Sequence, residues 1–428
     1  MSDDLIMNKR KRVLTVGIVV GILSVMSGMG CAQRGGHQQV SMANTNTACD
    51  NAAALPSLRC ALVTSSYFDT HGKLWVAWVF SGHVYVSTSS DKGQSFSKSV
   101  PVNRVPEKIY AKGENRPKIV VDDKGVIYVS WTQSLAKRFT GHIRFSRSTD
   151  GGEHFSEPLT VNDHQEIAGH RFDALAINKM GHVYLAWLDK RDQLAAKKSG
   201  GKYHGAALYY AISTDGGQTF QKNKKIIDHS CQCCRVAIAI DTDQLPVVLW
   251  RHIFGDNIRD HALVKFNSKN QAGELIRVSH DNWKVDGCPH HGPAISITEN
   301  NIYHMTWFNN APERHGLFYA RSGDQGRSLS VPLNFGDYQK AAAHPYVLAA
   351  GNDVFLIWKE FDGKQATLHA MESHDGGEQW TAPRQLAKTE GPSDHPFLLS
   401  DGQTVYATWH RRGQDYQLVR VASLRKGP

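Results

Sequence analysis

Two short segments concentrate the side chains best able to do chemistry. Cys231-Gln232-Cys233-Cys234 and Cys288-Pro289-His290-His291 together supply four thiols and two imidazoles. On extended backbone Cys231 and Cys233 share one side, as do Cys288 and His290. Soft sulfur and nitrogen ligands in such a set suit Zn²⁺ or Cu⁺. The same thiols can instead oxidise, Cys288 bridging to Cys231, Cys233 or Cys234, or they can stay free. The spacing matches no zinc-ribbon or haem pattern. All three chemistries therefore stand open; the cofactor is unknown, with zinc and copper the candidates. Cys49 and Cys60 pair most simply with each other.

These segments belong to a series. Seven apolar, β-branched runs each end in tryptophan, at Trp78, Trp131, Trp187, Trp250, Trp307, Trp358 and Trp409, with spacings of 53, 56, 63, 57, 51 and 51 residues. A short strand pattern precedes each run and another follows it. Four strands per unit of about 55 residues make a propeller blade. The fold class read from this is all-β, a seven-bladed β-propeller with essentially no helix beyond the N-terminal apolar stretch; six blades with a divergent end is the alternative. The seventh unit has only three strands, so a strand near Gln38–Met42 would close the ring. The domain reading is a signal peptide at 1–30, a tether and closing strand at 31–57, and the propeller at 58–428.

The segment leading into each innermost strand carries His, Cys or Arg. These are Arg59-Cys60, Asn115-Arg116-Pro117, His170-Arg171-Phe172-Asp173, Cys231 to Arg235, Cys288 to Pro293, His344-Pro345 and His395-Pro396. Seven loops that agree point to convergence on an axial pocket. Arg59, Arg116 and Arg235 are the candidate catalytic arginines. His170, Arg171, Asp173, Arg251, His344 and His395 are candidate ligand-binding residues. Cys231, Cys233, Cys234, Cys288, His290 and His291 are candidate metal ligands. The longest insertions, at 189–206 and 251–262, skew expected ligand contacts toward units three and four.

A second signature recurs after the third strand of the units: Ser89-Ser90-Asp91-Lys92-Gly93-Gln94-Ser95-Phe96, Ser148 to Phe155, Ser213 to Phe220, Ser322 to Leu329 and Ser373 to Trp380. It resembles the Asp-box (BNR) repeat of the sialidase superfamily, over about residues 58–425. The resemblance implies a propeller with structural Asp-box turns on the face opposite the lead-in loops. It also implies exo-sialidase-type hydrolysis as one function, and Arg59-Cys60-Ala61 resembles that family's first Arg-Ile-Pro motif. Three adjacent guanidiniums would clamp a carboxylate through paired bonds. The departures are that Val79–His83 offers no acid/base Asp, unit five enters without Arg, and no Tyr–Glu nucleophile pair is identifiable. Fold therefore does not settle function, and a binding propeller stands beside the hydrolase.

The N-terminus reads Asn8-Lys9-Arg10-Lys11-Arg12, an apolar Val13–Val25, then Ser27-Gly28-Met29-Gly30-Cys31. That order is a secretory signal, and its end resembles a bacterial lipoprotein signal with Cys31 lipidated. Gly28 departs from the usual aliphatic residue. The expectation is an exported lipoprotein, periplasmic or at the outer membrane, touching the membrane through its lipid. Beyond residue 30 the chain has 45 basic and 38 acidic residues, a net of +7. That mild excess suits a small-molecule or glycan ligand of anionic character and contains no basic run of nucleic-acid type. No serine elbow, P-loop or dinucleotide fingerprint occurs in a fitting context.

Overall fold

The structure, a computed structural model, describes Cys49, residues 55–391 and residues 393–425. The signal, Cys31 and the proposed closing strand at Gln38–Met42 lie outside the described residues. Seven separate antiparallel sheets follow one another along the chain, six of four strands and the last of three. The chain is therefore a seven-bladed propeller and not a six-bladed one.

The seven spaced tryptophans are the reason. Each sits in, or directly after, the second strand of its blade, and none is more than 2% exposed. Between the sheets they fill apolar layers with residues of the neighbouring blade. Trp131, for example, packs with Val63, Trp75 and Val79 of the first blade. The outermost strands of blades one, two and four are two residues long, Val100–Pro101, Leu159–Thr160 and Ile276–Arg277, whereas those of blades three and six, Lys224–Ser230 and Arg384–Thr389, are longer. Short outer strands leave little edge for unwanted pairing.

In five blades the Asp-box turn packs against the blade before it. In every copy the first Ser hydroxyl bonds the Asp, which then accepts the backbone N–H four residues on: Ser148 to Asp150 at 2.7 Å, then His154 N to Asp150 at 3.0 Å. The glycine is needed twice over. Gly152 has φ +87°, and a Cβ there would stand 2.9 Å from the Trp75 ring of the previous blade. Gly377 repeats this against Tyr319, where a Cβ would meet the hydroxyl at 2.0 Å.

Ring closure between the seventh and first blades uses side chains among the described residues. Leu399, Tyr406 and Tyr416 pack with Phe68, Leu74 and Trp78. Ser66 Oγ and Tyr416 OH are 2.7 Å apart, and Lys92 pairs with Asp401 at 2.8 Å.

Two details differ from the sequence reading. The first inner strand is Thr64–Phe68, so Arg59-Cys60 does not lead directly into it. Asp69 accepts from the backbone of His71 and Lys73 at 2.9 Å each, which tightens the hairpin and sets Thr64 opposite Trp78. Leu58–Cys60 is instead a 3₁₀ turn, tied by the Cys49–Cys60 disulfide. The insertion after the third blade's second strand also holds a helix, Arg191–Lys198, with no buried residue. Its charges suit its dipole, Asp192 in the first turn and Lys197 and Lys198 in the last. No helix among the described residues is long and apolar enough to cross a membrane.

Candidate functional site

All seven inner strands line an axial cavity of about 570 Å³. Its walls are mostly aliphatic, with Ile119, Val236, Ile295 and Leu398 among them. The lead-in segments cap one end with Glu114, Arg116, Arg235 and His395.

Glu114, which the sequence reading passed over, is the centre of that cap. It sits one residue before Asn115-Arg116-Pro117 in the lead-in to blade two. Oε1 accepts from Arg235 Nη1 at 3.1 Å and from His344 Nδ1 at 3.3 Å. His395 Nδ1 lies 3.3 Å from the same oxygen. Oε2 accepts from the Arg235 and Gly292 amides at 3.0 and 2.8 Å. One carboxylate thereby joins blade two to blades four, five, six and seven. Burial pushes its carboxyl up, but Arg235 and the two imidazoles outweigh this and hold it well below the usual range.

Arg116 completes the hub. It donates to Asp394 Oδ1 at 2.7 Å, to Thr64 O at 2.9 Å and to Gly113 O at 2.8 Å. Arg235 gives its remaining donors to Pro293 O and Pro345 O. Both guanidiniums are thus committed to internal partners. Arg59 does not join them: it is exposed and donates to Gly413 O at 2.8 Å. The reason is the late start of the first inner strand, which leaves Arg59 on the rim turn.

His344 and His395 stack at 3.4 Å between ring centroids. Burial drives both pKa values down, that of His395 to about 4. His291 belongs to this stack and departs from the metal-ligand grouping. It packs between Phe308, at 4.1 Å, and His344, at 4.5 Å. Lys359, which follows the sixth blade's Trp358, donates to Ser393 and is pushed down to about 8 by burial.

The thiols gather beside this hub. Cys231 to Cys234 is a turn and not extended backbone, so all three sulfurs converge. Cys231 Sγ is 3.7 Å from Cys233 Sγ and 3.6 Å from Cys234 Sγ, and all three are buried. The exposed Cys288 and His290 place ligand atoms within 4.8 Å of each other and of Cys233. Bonds from Cys233 and Cys234 hold the Cys231 thiol well below its usual range, with Arg251 and Arg259 adding to this. Cys288 is lowered to about 7, chiefly by a hydrogen bond from Cys233.

Four cations face the sulfurs. Arg259 Nη1 donates to Cys231 Sγ at 3.4 Å, and Arg251 acts on Cys231 and Cys234. Arg171 and Lys190 act on Cys233 and Cys288. Among the described residues none of the four forms an ion pair with a carboxylate. Arg251 donates to the carbonyls of Arg259, His291 and Phe308, and Arg171 lies over the rings of Tyr110, Phe139 and Phe172. Arg259 and Lys190 were visible in the exit loops, but nothing in their spacing marks them as partners of the thiols.

His170 and Asp173 have other duties. His170 is fully buried, bonded to Gly141 O at 2.7 Å and 3.6 Å from Asp189. Asp173 accepts from Ser130 Oγ at 2.6 Å and from Thr132, and Lys118 is 3.9 Å away.

No protein-family model and no curated protein sequence matches this chain. Solved structures do. A PL25 ulvan lyase bound to -[GlcA(1-4)Rha3S]- aligns with TM-score 0.53 at 12% identity, over 85% of this chain and 93% of the lyase. The polysaccharide lyase Uly1 aligns with TM-score 0.52 at 10% identity, over 87% and 92%. The Hadza microbial sialidase Hz136 aligns with TM-score 0.49 at 15% identity, over 82% and 76%. The protein thus has the fold of the propeller carbohydrate-active enzymes. Identities this low speak to the fold alone.

Proposed function

We propose that this chain is an exported, lipid-anchored propeller that binds soft metal at the cluster formed by Cys231, Cys233, Cys234, Cys288 and His290. The adjoining axial cavity takes the small-molecule or glycan ligand. The observation that carries the metal reading is the convergence of sulfurs at 3.6–3.7 Å. Thiolates sharing one ion at about 2.3 Å stand roughly 3.8 Å apart. The surrounding cations support it against a disulfide. Each disulfide would remove two potential thiolates from beside Arg259, whose Nη1 donates to Cys231 Sγ at 3.4 Å and which forms no ion pair with a carboxylate among the described residues, and buried unpaired charge is costly. Export and lipid attachment rest on the signal pattern ending at Cys31.

The hydrolase reading lacks a carboxylate clamp. Arg116 and Arg235 are occupied by Glu114, Asp394 and five carbonyls, and Arg59 is on the rim. The test is elemental analysis with thiol counting on the chain purified from the periplasm. Metal near stoichiometric and lost in Cys233→Ser supports the proposal. Metal-free protein with a bond from Cys288 to Cys231, Cys233 or Cys234 overturns it.

A further inference from the structure

The thiol cluster contains two ligand groups, not one. Cys231, Cys233 and Cys234 have sulfurs all within 4.8 Å of one another, and the same holds for Cys233 Sγ, Cys288 Sγ and a His290 nitrogen. Cys233 alone belongs to both. Atoms bound to one ion at about 2.0–2.3 Å can lie at most about 4.6 Å apart. The inner sulfurs, 3.6 and 3.7 Å from Cys231 Sγ, stand at the spacing of one coordination sphere, and the outer trio lies close to that limit. No four sulfurs among the described residues form one such group, so a single tetrahedral four-thiolate site is not what the backbone prepares.

Charge then selects the ion. Arg259 Nη1 lies 3.4 Å from Cys231 Sγ, Arg171, Lys190 and Arg251 stand near the sulfurs, and none of the four forms an ion pair with a carboxylate among the described residues. Arg251 and Arg259 are 1% and 8% exposed. Metal binding deprotonates the thiols it takes as ligands, and four such thiolates would offset the charge of these cations. Two divalent ions would add four positive charges beside these cations, whereas two univalent ions add half as many. Thiolate ligands also favour Cu⁺ among the available univalent ions.

Building on the metal reading above, we infer that this cluster is a dinuclear site for a univalent thiophilic ion, with Cys233 Sγ bridging the two positions. The inner position uses Cys231, Cys233 and Cys234. The outer uses Cys233, Cys288 and His290, and it faces solvent, where ions enter and leave.

The test is anaerobic titration of the reduced full chain with Cu⁺ against a chromophoric Cu⁺ chelator, with native mass spectrometry for stoichiometry and Zn²⁺ titrated in parallel. Two Cu⁺ per chain are expected, and an equimolar mixture should load copper in preference to zinc. His290→Ala should lower the count from two to one. Cys233→Ser and Cys233→Ala should each lose both ions while keeping wild-type tryptophan fluorescence. One Cu⁺ in the wild type, retention of Zn²⁺ against Cu⁺, or loss of only one ion in a folded Cys233 variant would overturn the dinuclear assignment and leave the metal reading standing. No ion of either kind would overturn both.

Discussion

Glu114→Gln should destabilise the propeller far more than an ordinary loop substitution. The side chain is 6% exposed, so the change acts in the interior. Gln keeps the shape and removes the charge. Its one amide oxygen cannot serve Arg235 Nη1, the Arg235 and Gly292 amides and His344 together. Its NH₂ would also be turned toward a group that is itself a donor. Breaking a buried ion pair from one side costs about 3–5 kcal/mol, because the remaining charge is stranded. Here the stranded group is Arg235, whose other donors stay fixed on Pro293 O and Pro345 O. Urea unfolding followed by the emission of the buried tryptophans should show the midpoint fall at unchanged slope. In a cycle with Arg235→Met the two effects should fall short of adding by about 2–3 kcal/mol. A loss under about 1 kcal/mol, or additive effects, would refute the idea that this carboxylate holds five blades together.

The remaining expectations are independent. His395 has its folded pKa lowered to about 4. Its contribution is full above the unfolded value near 6.5 and is lost as pH falls toward 4, amounting to about 3 kcal/mol. Stability should therefore decline through that window by urea unfolding, and a flat profile would count against the buried neutral pair. Gly113→Ala would set a Cβ 2.4 Å from the His395 ring; a loss of about 1–3 kcal/mol is expected, and a neutral result would show that the imidazole can move freely. Cys49→Ser opens the loop closed with Cys60, of sequence separation 11, and should cost about 2–3 kcal/mol in the same assay. Mass spectrometry of the mature N-terminus should find acylated Cys31, and an unmodified start elsewhere removes the anchor. The wild-type chain should not turn over an activated sialoside; hydrolysis abolished by Arg116→Ala would restore the enzyme reading.

Periodicity made the architecture readable. A tryptophan that recurs about every 55 residues reports a repeated packing environment, and a Ser-x-Asp-x-Gly turn reports local hydrogen bonds within eight residues. Both are local or periodic, so the blade count, the strand order and the structural role of Asp91, Asp150, Asp215, Asp324 and Asp375 follow from the chain alone. The lead-in segments also announced their Arg, Cys and His content. The partnerships among them were not legible. Glu114 meets Arg235, Gly292 and His344 at sequence separations of 121, 178 and 230, and His395 farther still along the chain, separations that only ring closure brings to hydrogen-bond distance. Arg59, five residues too early once the Asp69 turn sets the register, was separated from Arg116 by a hairpin shift that no motif records. His291 and His290 are neighbours in the chain, yet one joins the histidine stack and the other the thiols, because His290 adopts φ +57° and turns the backbone between them. Local pattern decides what each blade is. The closed ring decides which blades' side chains meet, since contact at the axis depends on the geometry of all seven at once.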